Sequence, residues 1–142
     1  MSYEDIRENF ELLDEWEDRY RYLIELGREL PPLEPALKTD ATKVRGCASQ
    51  VWLIARETAD DASTSPAPTL TFQGESDAHI VQGLIAVLLA IHSGKSAETI
   101  LATDTHAQFD ALGLSDHLTP QRSNGLKAMI ERIRSEAAAR VQ

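Results

Sequence analysis

One residue in this chain is a nucleophile by both type and setting. Cys47, in the run Val44-Arg45-Gly46-Cys47-Ala48-Ser49-Gln50-Val51-Trp52-Leu53, is the sole cysteine among 142 residues. A lone thiol forms no internal disulfide and cannot by itself supply the ligands of a four-coordinate metal site. Buried structural cysteines sit inside apolar helix or strand periodicity, whereas Cys47 follows a glycine and precedes a strand-like segment. Lys43 and Arg45 stand just before it, and nearby cations favour the thiolate, the nucleophilic form. The expectation is a reactive thiol presented on a loop.

The elements that must position it are those of an ordinary globular chain. With 42% hydrophobic and 26% charged residues, residues 1–142 are expected to form one domain with a real core. No apolar run approaches the roughly 18–20 residues that span a bilayer; the longest, Gly83 to Ile91, reads as a buried helix. The amino terminus is acidic at once and lacks the basic and apolar regions of a signal peptide. Together with one free cysteine, this points to a reducing cytoplasm and no membrane. A formal charge of −9 argues against nucleic acid, whose backbone needs clustered Lys and Arg. The charge is uneven: residues 1–30 carry ten acids and four bases, residues 119–142 five bases and two acids. A mildly basic last helix can steer a protein partner, although most of these charges read as solvated helix faces.

Ser2 with Asp5 predicts a helix start, and Ile6, Phe10 and Leu13 recur at helical spacing. Asp14 before Glu17 predicts a second start, Trp16, Tyr20, Leu23 and Ile24 continue the stripe, and Gly27 with Pro31-Pro32 is read as the end. Residues 31–46 show no periodicity and predict an extended connection, mobile at its far end. Ser49 to Glu57 and Thr69 to Gln73 read as strands, paired antiparallel because the polar linker Asp60 to Pro68 is too short for a helical crossover. Ser76 and Asp77 are read as caps of a helix over 78–92 that stops at Gly94. Ser96 to Ala102 and His106 to Leu112 predict short helices, the second ended by Gly113. Thr119-Pro120 opens the last helix, with Leu126, Met129, Ile130 and Ile133 as its buried stripe.

Four stretches resemble one family. Gly46-Cys47-x-Ser49-x-Val51-Trp52 is similar to the sulfur-acceptor motif of SufE-type proteins. Trp16-Glu17-Asp18-Arg19-Tyr20 with Ile24-Glu25-Leu26-Gly27, Gly74-Glu75-Ser76-Asp77-Ala78-His79-Ile80-Val81-Gln82-Gly83-Leu84, and Leu118-Thr119-Pro120-x-Arg122-Ser123-Asn124-Gly125-Leu126 resemble its other signatures, in order and over nearly the whole chain. Ala48 stands where relatives often carry a polar residue. The resemblance implies an α+β fold, a small antiparallel sheet packed against helices, similar to the U-type iron–sulfur scaffold proteins. It implies a protein that serves a pyridoxal-phosphate-dependent cysteine desulfurase. Cys47 would accept persulfide sulfur, stimulate the partner, and relay sulfur to an iron–sulfur scaffold or another acceptor. In the family the acceptor cysteine sits at a loop tip and can turn toward an apolar cavity. No cofactor is implied in this chain, since pyridoxal phosphate belongs to the partner.

Thiolate attack on a persulfide needs an exposed thiolate and little else. Gly46 permits unusual backbone angles and close approach by another protein. Ser49 and Gln50 are expected to order the loop through hydrogen bonds, and Arg45 supplies local positive charge. Arg122 is a candidate charge near the persulfide or the partner, or else a cap or surface ion pair. Asp77 is a helix cap or a partner contact. Four other readings remain on the residues alone: a purely structural cysteine in an adaptor domain, in which Cys47→Ser would keep all activity; a cluster scaffold, which would use several cysteines; an acceptor for a paralogous desulfurase of another sulfur pathway; and a thiol hydrolase or peroxidase acting alone. The last needs His79, His92, His106 or His117 beside Cys47.

Overall fold

The computed structural model describes residues 2–58 and 69–140. Helix α1 (Tyr3–Leu12) begins at Ser2, whose hydroxyl accepts from the Asp5 N–H while the Asp5 carboxylate accepts from the Ser2 N–H. This reciprocal box satisfies two otherwise orphaned donors. The chain bends through residues 13–15, where the Leu13 carbonyl accepts from Arg19 Nε at 2.7 Å, and continues as α2 (Trp16–Arg28). The two consecutive helices expected from the two starts are thus present. The expected cap is not: Glu15, not Asp14, occupies the N-cap of α2, with no side-chain bond.

Gly27 lies inside α2 rather than ending it. A Cβ there would stand 2.7 Å from the Gly83 nitrogen, and one on Gly83 would stand 2.3 Å from the Leu23 carbonyl oxygen. The two glycines therefore let α2 and α3 (His79–His92) meet backbone to backbone. That close approach, not a turn, is why glycine is required at 27.

Strands β1 (Val51–Thr58) and β2 (Thr69–Ser76) pair antiparallel from Val51↔Ser76 to Thr58↔Thr69. The expected loop between them, Asp60 to Pro68, falls outside the described residues. A two-residue strand β3 (Lys95–Ser96), absent from the sequence expectation, pairs with β2 and gives the order β1-β2-β3 among the described residues. Helices α4 (Ala97–Ala102) and α5 (Thr105–Ala111) follow, capped by the Ser96 and Asp104 side chains. Thr119 and Pro120 open α6 (Pro120–Ala138), as the sequence predicts.

Helix α3 is the hub. Leu84, Val87 and Leu88 are fully buried, with Val51, Leu53, Leu70 and Phe72 of the sheet on one side and Ile6, Phe10 and Leu23 of α1 and α2 on another. Met129, Ile130 and Ile133 of α6 complete the same core. The architecture is α+β, a small antiparallel sheet packed against helices.

Candidate functional site

Cys47 sits in a short loop, residues 45–50, that is closed at both ends. Val44 N–H donates to the Val51 carbonyl at 2.8 Å, and Leu53 N–H donates to the Thr42 carbonyl at 2.9 Å. The stem at 42–44 therefore runs antiparallel beside β1, with Lys43 opposite Trp52. This corrects the expectation that the 31–46 segment leaves one side of the loop free. That segment also holds a 3₁₀ turn at Pro35–Leu37. It is tied to β2 by the Lys38–Glu75 ion pair and by Leu33 N–H donating to Glu75. The Lys38 partnership is the main cause that holds the Glu75 carboxyl below its ordinary range.

Gly46 turns the tip with φ +92°, the left-handed region that favours glycine. A Cβ there would also stand 3.3 Å from the Ala128 methyl of α6. The turn points the half-buried Cys47 inward, and its S–H donates to the Gly125 carbonyl with Sγ 3.6 Å from the oxygen. Gly125 is buried, and a Cβ on it would lie in van der Waals contact with Cys47 Sγ at 3.6 Å.

The thiol faces a cavity of about 280 Å³ between α3 and α6. Val81 and Leu84 form one wall, Leu126 and Met129 the other, and Thr119, Gln121 and Arg122 stand at the α6 end. The Thr119 hydroxyl accepts from the Arg122 backbone N–H at 3.2 Å, so the first turn of the helix is already capped. Burial pushes the Cys47 thiol above its ordinary pKa. The shift runs opposite to the one that the neighbouring cations Lys43 and Arg45 favour, and Arg45 is exposed.

The site residues named from sequence divide accordingly. Cys47, Ser49 and Arg122 line the cavity, Gly46 makes the turn, and Arg45 and Gln50 face solvent. Asp77 does not cap α3; Ala78 occupies that position, and Ser76 Oγ accepts from the Ala78 N–H. Asp77 instead clasps the loop. Its carboxylate accepts from the Gln50 N–H at 3.0 Å, and its own N–H donates to the Gln50 carbonyl at 3.3 Å. The loop-ordering bonds of Gln50 are thus made by its backbone. Gly125, Ala128 and Arg132 of α6, which meet the loop and its stem, were not singled out from sequence as site residues; their spacing of three and four along one helix face was the available signal.

No histidine lines this cavity. The buried His92 bonds Thr105 Oγ1 at 2.9 Å, and His117 stacks on Trp16 with ring centroids 4.1 Å apart. The Cys–His pair of a thiol hydrolase is not assembled at Cys47. Among the described residues no group of three or more His, Cys, Asp or Glu side chains is placed to hold a metal, and no helix is long and apolar enough to cross a membrane.

A loop-borne thiol over an apolar cavity, on a small sheet covered by helices, defines a thiol-presenting α+β domain. The Fe–S metabolism associated domain of SufE proteins matches residues 4–137. An uncharacterised SufE-like protein of Rhizobium meliloti (strain 1021) is 53% identical over 140 residues, covering 99% of this chain and 97% of that protein. A second, from Rhizobium etli, is 50% identical over 139 residues, covering 98% and 91%. The solution structure of a hypothetical protein from Thermus thermophilus superposes with a TM-score of 0.72 at 21% identity, over 98% of this chain and 97% of that one, and shows the same fold. The chain belongs to the SufE family.

Proposed function

We propose that this protein is a sulfur acceptor for a pyridoxal-phosphate-dependent cysteine desulfurase. Cys47 carries the sulfur, and the chain, acting as one domain in the cytoplasm, stimulates the desulfurase and relays sulfur to iron–sulfur cluster assembly. The observation that carries the reading is the seat of Cys47: a solitary thiol on a short pinned loop, above an apolar cavity, with no histidine base beside it. Such a site is poor for hydrolysis and suited to exchange between sulfurs.

The transfer balances without an added oxidant. The Cys47 thiolate attacks the outer sulfur of the desulfurase persulfide; a new S–S bond forms at Cys47, the old one breaks, and the desulfurase cysteine leaves as a thiolate. The Cys47 proton goes to solvent or to a base of the partner. In the docked position the thiol is protonated and shielded, since burial raises its pKa. Leaving the Gly125 carbonyl for water restores an ordinary thiol acidity, so opening of the loop and activation of the nucleophile coincide. Gly46 is the pivot of that movement and the Asp77–Gln50 clasp its fixed end. Arg45 and Arg122 supply positive charge toward an approaching thiolate or persulfide, and Ser49 borders the path at the cavity wall.

The test is alanine production from L-cysteine by the cognate desulfurase, with and without this protein. The expected result is several-fold stimulation by the wild type and none by Cys47→Ser. Equal stimulation by Cys47→Ser would overturn the acceptor role.

A further inference from the structure

Helix α6 is more than the floor of the cavity. Three of its residues meet the loop and stem in reverse order along one face: Gly125 against Cys47, Ala128 against Gly46, and Arg132 against the stem. The spacing of three and then four residues places them in one line on the helix. The acceptor loop thus lies antiparallel along α6, close because two of the contacts are made by small residues.

The third contact differs in kind. Arg132 Nη2 donates to the Ala41 carbonyl at 2.7 Å and Nη1 to the Lys43 carbonyl at 3.3 Å, while Nε pairs with Glu136 at 3.2 Å. Glu136 is in turn held by Arg140, whose guanidinium reaches Glu57 on β1. The planar fork is therefore oriented from behind by a carboxylate that is itself fixed, and a lysine could not reproduce it. The stem has no other polar tie to α6 among the bonds of the described residues. Its backbone pairing runs to β1, at right angles to this contact in function: one bond set fixes register, the other fixes height above the helix.

We propose that Arg132 is a positioning residue for Cys47: by pinning the stem to α6 it holds the thiol on the Gly125 carbonyl and sets the fraction of molecules whose acceptor loop is open. The consequence for sulfur transfer rests on the sulfur-acceptor reading; the docking itself is a property of the isolated chain. With the clamp intact, opening is confined to residues 45–50. Without it, stem and tip lift together.

The experiment measures alkylation of Cys47 by iodoacetamide in the full chain, a neutral probe that reads the open fraction, alongside the thermal midpoint. Arg132→Ala is expected to alkylate about tenfold faster, the effect of losing one or two ordinary backbone-directed hydrogen bonds. Arg132→Lys falls between it and the wild type. Ile133→Val, a mild core loss in the same helix, and Arg7→Ala, which removes an exposed ion pair on α1, stay at the wild-type rate. Rates within about twofold of wild type for both Arg132 variants, the scale of experimental scatter against a tenfold effect, would overturn the proposal. So would an equal rise in Ile133→Val, which would assign the effect to general loosening. With a desulfurase present, the half-saturating concentration of Arg132→Ala falls by the same factor while maximal stimulation is kept, because more of the chain is already competent. A half-saturating concentration unchanged beside faster alkylation would refute the link to transfer. A wild type that stimulates no desulfurase, with the alkylation pattern intact, would count against the acceptor reading and leave the Arg132 clamp standing.

Discussion

Acidification should weaken this fold through one buried ring. His92, at the end of α3, is only 1% exposed, and its hydrogen-bond partner Thr105 is 2% exposed. Its Nε2 lies 2.9 Å from the Thr105 hydroxyl, and Nδ1 has no partner among the described residues. Protonation would place a second N–H in a site that offers it nothing. Burial first, and the nearby Arg134 charge second, pull the His92 pKa from its ordinary 6.5 to about 4. Above pH 6.5 the ring is neutral in both folded and unfolded chains and adds no pH dependence. As the pH falls below 6.5 the unfolded chain takes a proton that the folded chain refuses until about pH 4, so stability is lost across that window. The distance from 6.5 to about 4, at about 1.36 kcal/mol per tenfold change in proton affinity, sets the loss at about 3 kcal/mol. That is a large part of the roughly 5–15 kcal/mol of a typical domain. Urea unfolding followed by tryptophan fluorescence at neutral pH and near pH 4 measures it. His92→Gln, whose amide can still bond Thr105 but cannot take the proton, removes the carboxylate background by difference. The wild type is expected to lose about 3 kcal/mol more than the variant over this window. Parallel curves, or a His92 ring proton that titrates near 6.5 by NMR, would refute the reasoning.

Three further outcomes follow from the same contacts. The pH profile of Cys47 alkylation should have its midpoint above that of an ordinary thiol and return to it in denaturant, because burial alone raises it; coincident profiles would contradict the docked thiol. Asp77→Ala removes the acceptor of the Gln50 N–H and costs about 1 kcal/mol locally, read as roughly fivefold faster amide exchange at Gln50; an unchanged rate would show that the clasp carries no energy. Gly83→Ala drives a methyl to 2.3 Å from the Leu23 carbonyl and forces α2 from α3. It is expected to cost about 3 kcal/mol, roughly 10 °C in Tm for a chain of this size. A Tm close to the wild type would mean that the two helices separate freely.

What was legible from sequence was local, and what was not depends on distant partners. The Ser2–Asp5 box, the Thr119-Pro120 start and the α6 stripe announce themselves because cap and periodicity lie within a few residues. The hairpin of β1 and β2 follows from a short linker. β3, two residues long, has no periodicity to read, and only β2 makes it a strand. Gly27 resembles a helix stop until Gly83 is seen against it. Asp77 precedes a helix as caps do, but its partner is Gln50, twenty-seven positions earlier. The environment of Cys47 shows the same division most clearly. Its neighbours in sequence are Lys43 and Arg45, which favour a thiolate; its neighbour in space is the Gly125 carbonyl, seventy-eight positions away, and burial at that position raises the thiol's pKa. The candidate residue was legible by type and motif; the contacts that surround it were not.

The central claim is that Cys47 carries sulfur. Intact-protein mass, followed by peptide mapping, after incubation with a cognate cysteine desulfurase and L-cysteine tests it most directly. The account predicts one added sulfur on the Cys47 peptide, removed by reductant and absent from Cys47→Ser. A folded wild-type protein that gains no sulfur at Cys47 across a panel of desulfurases would contradict it.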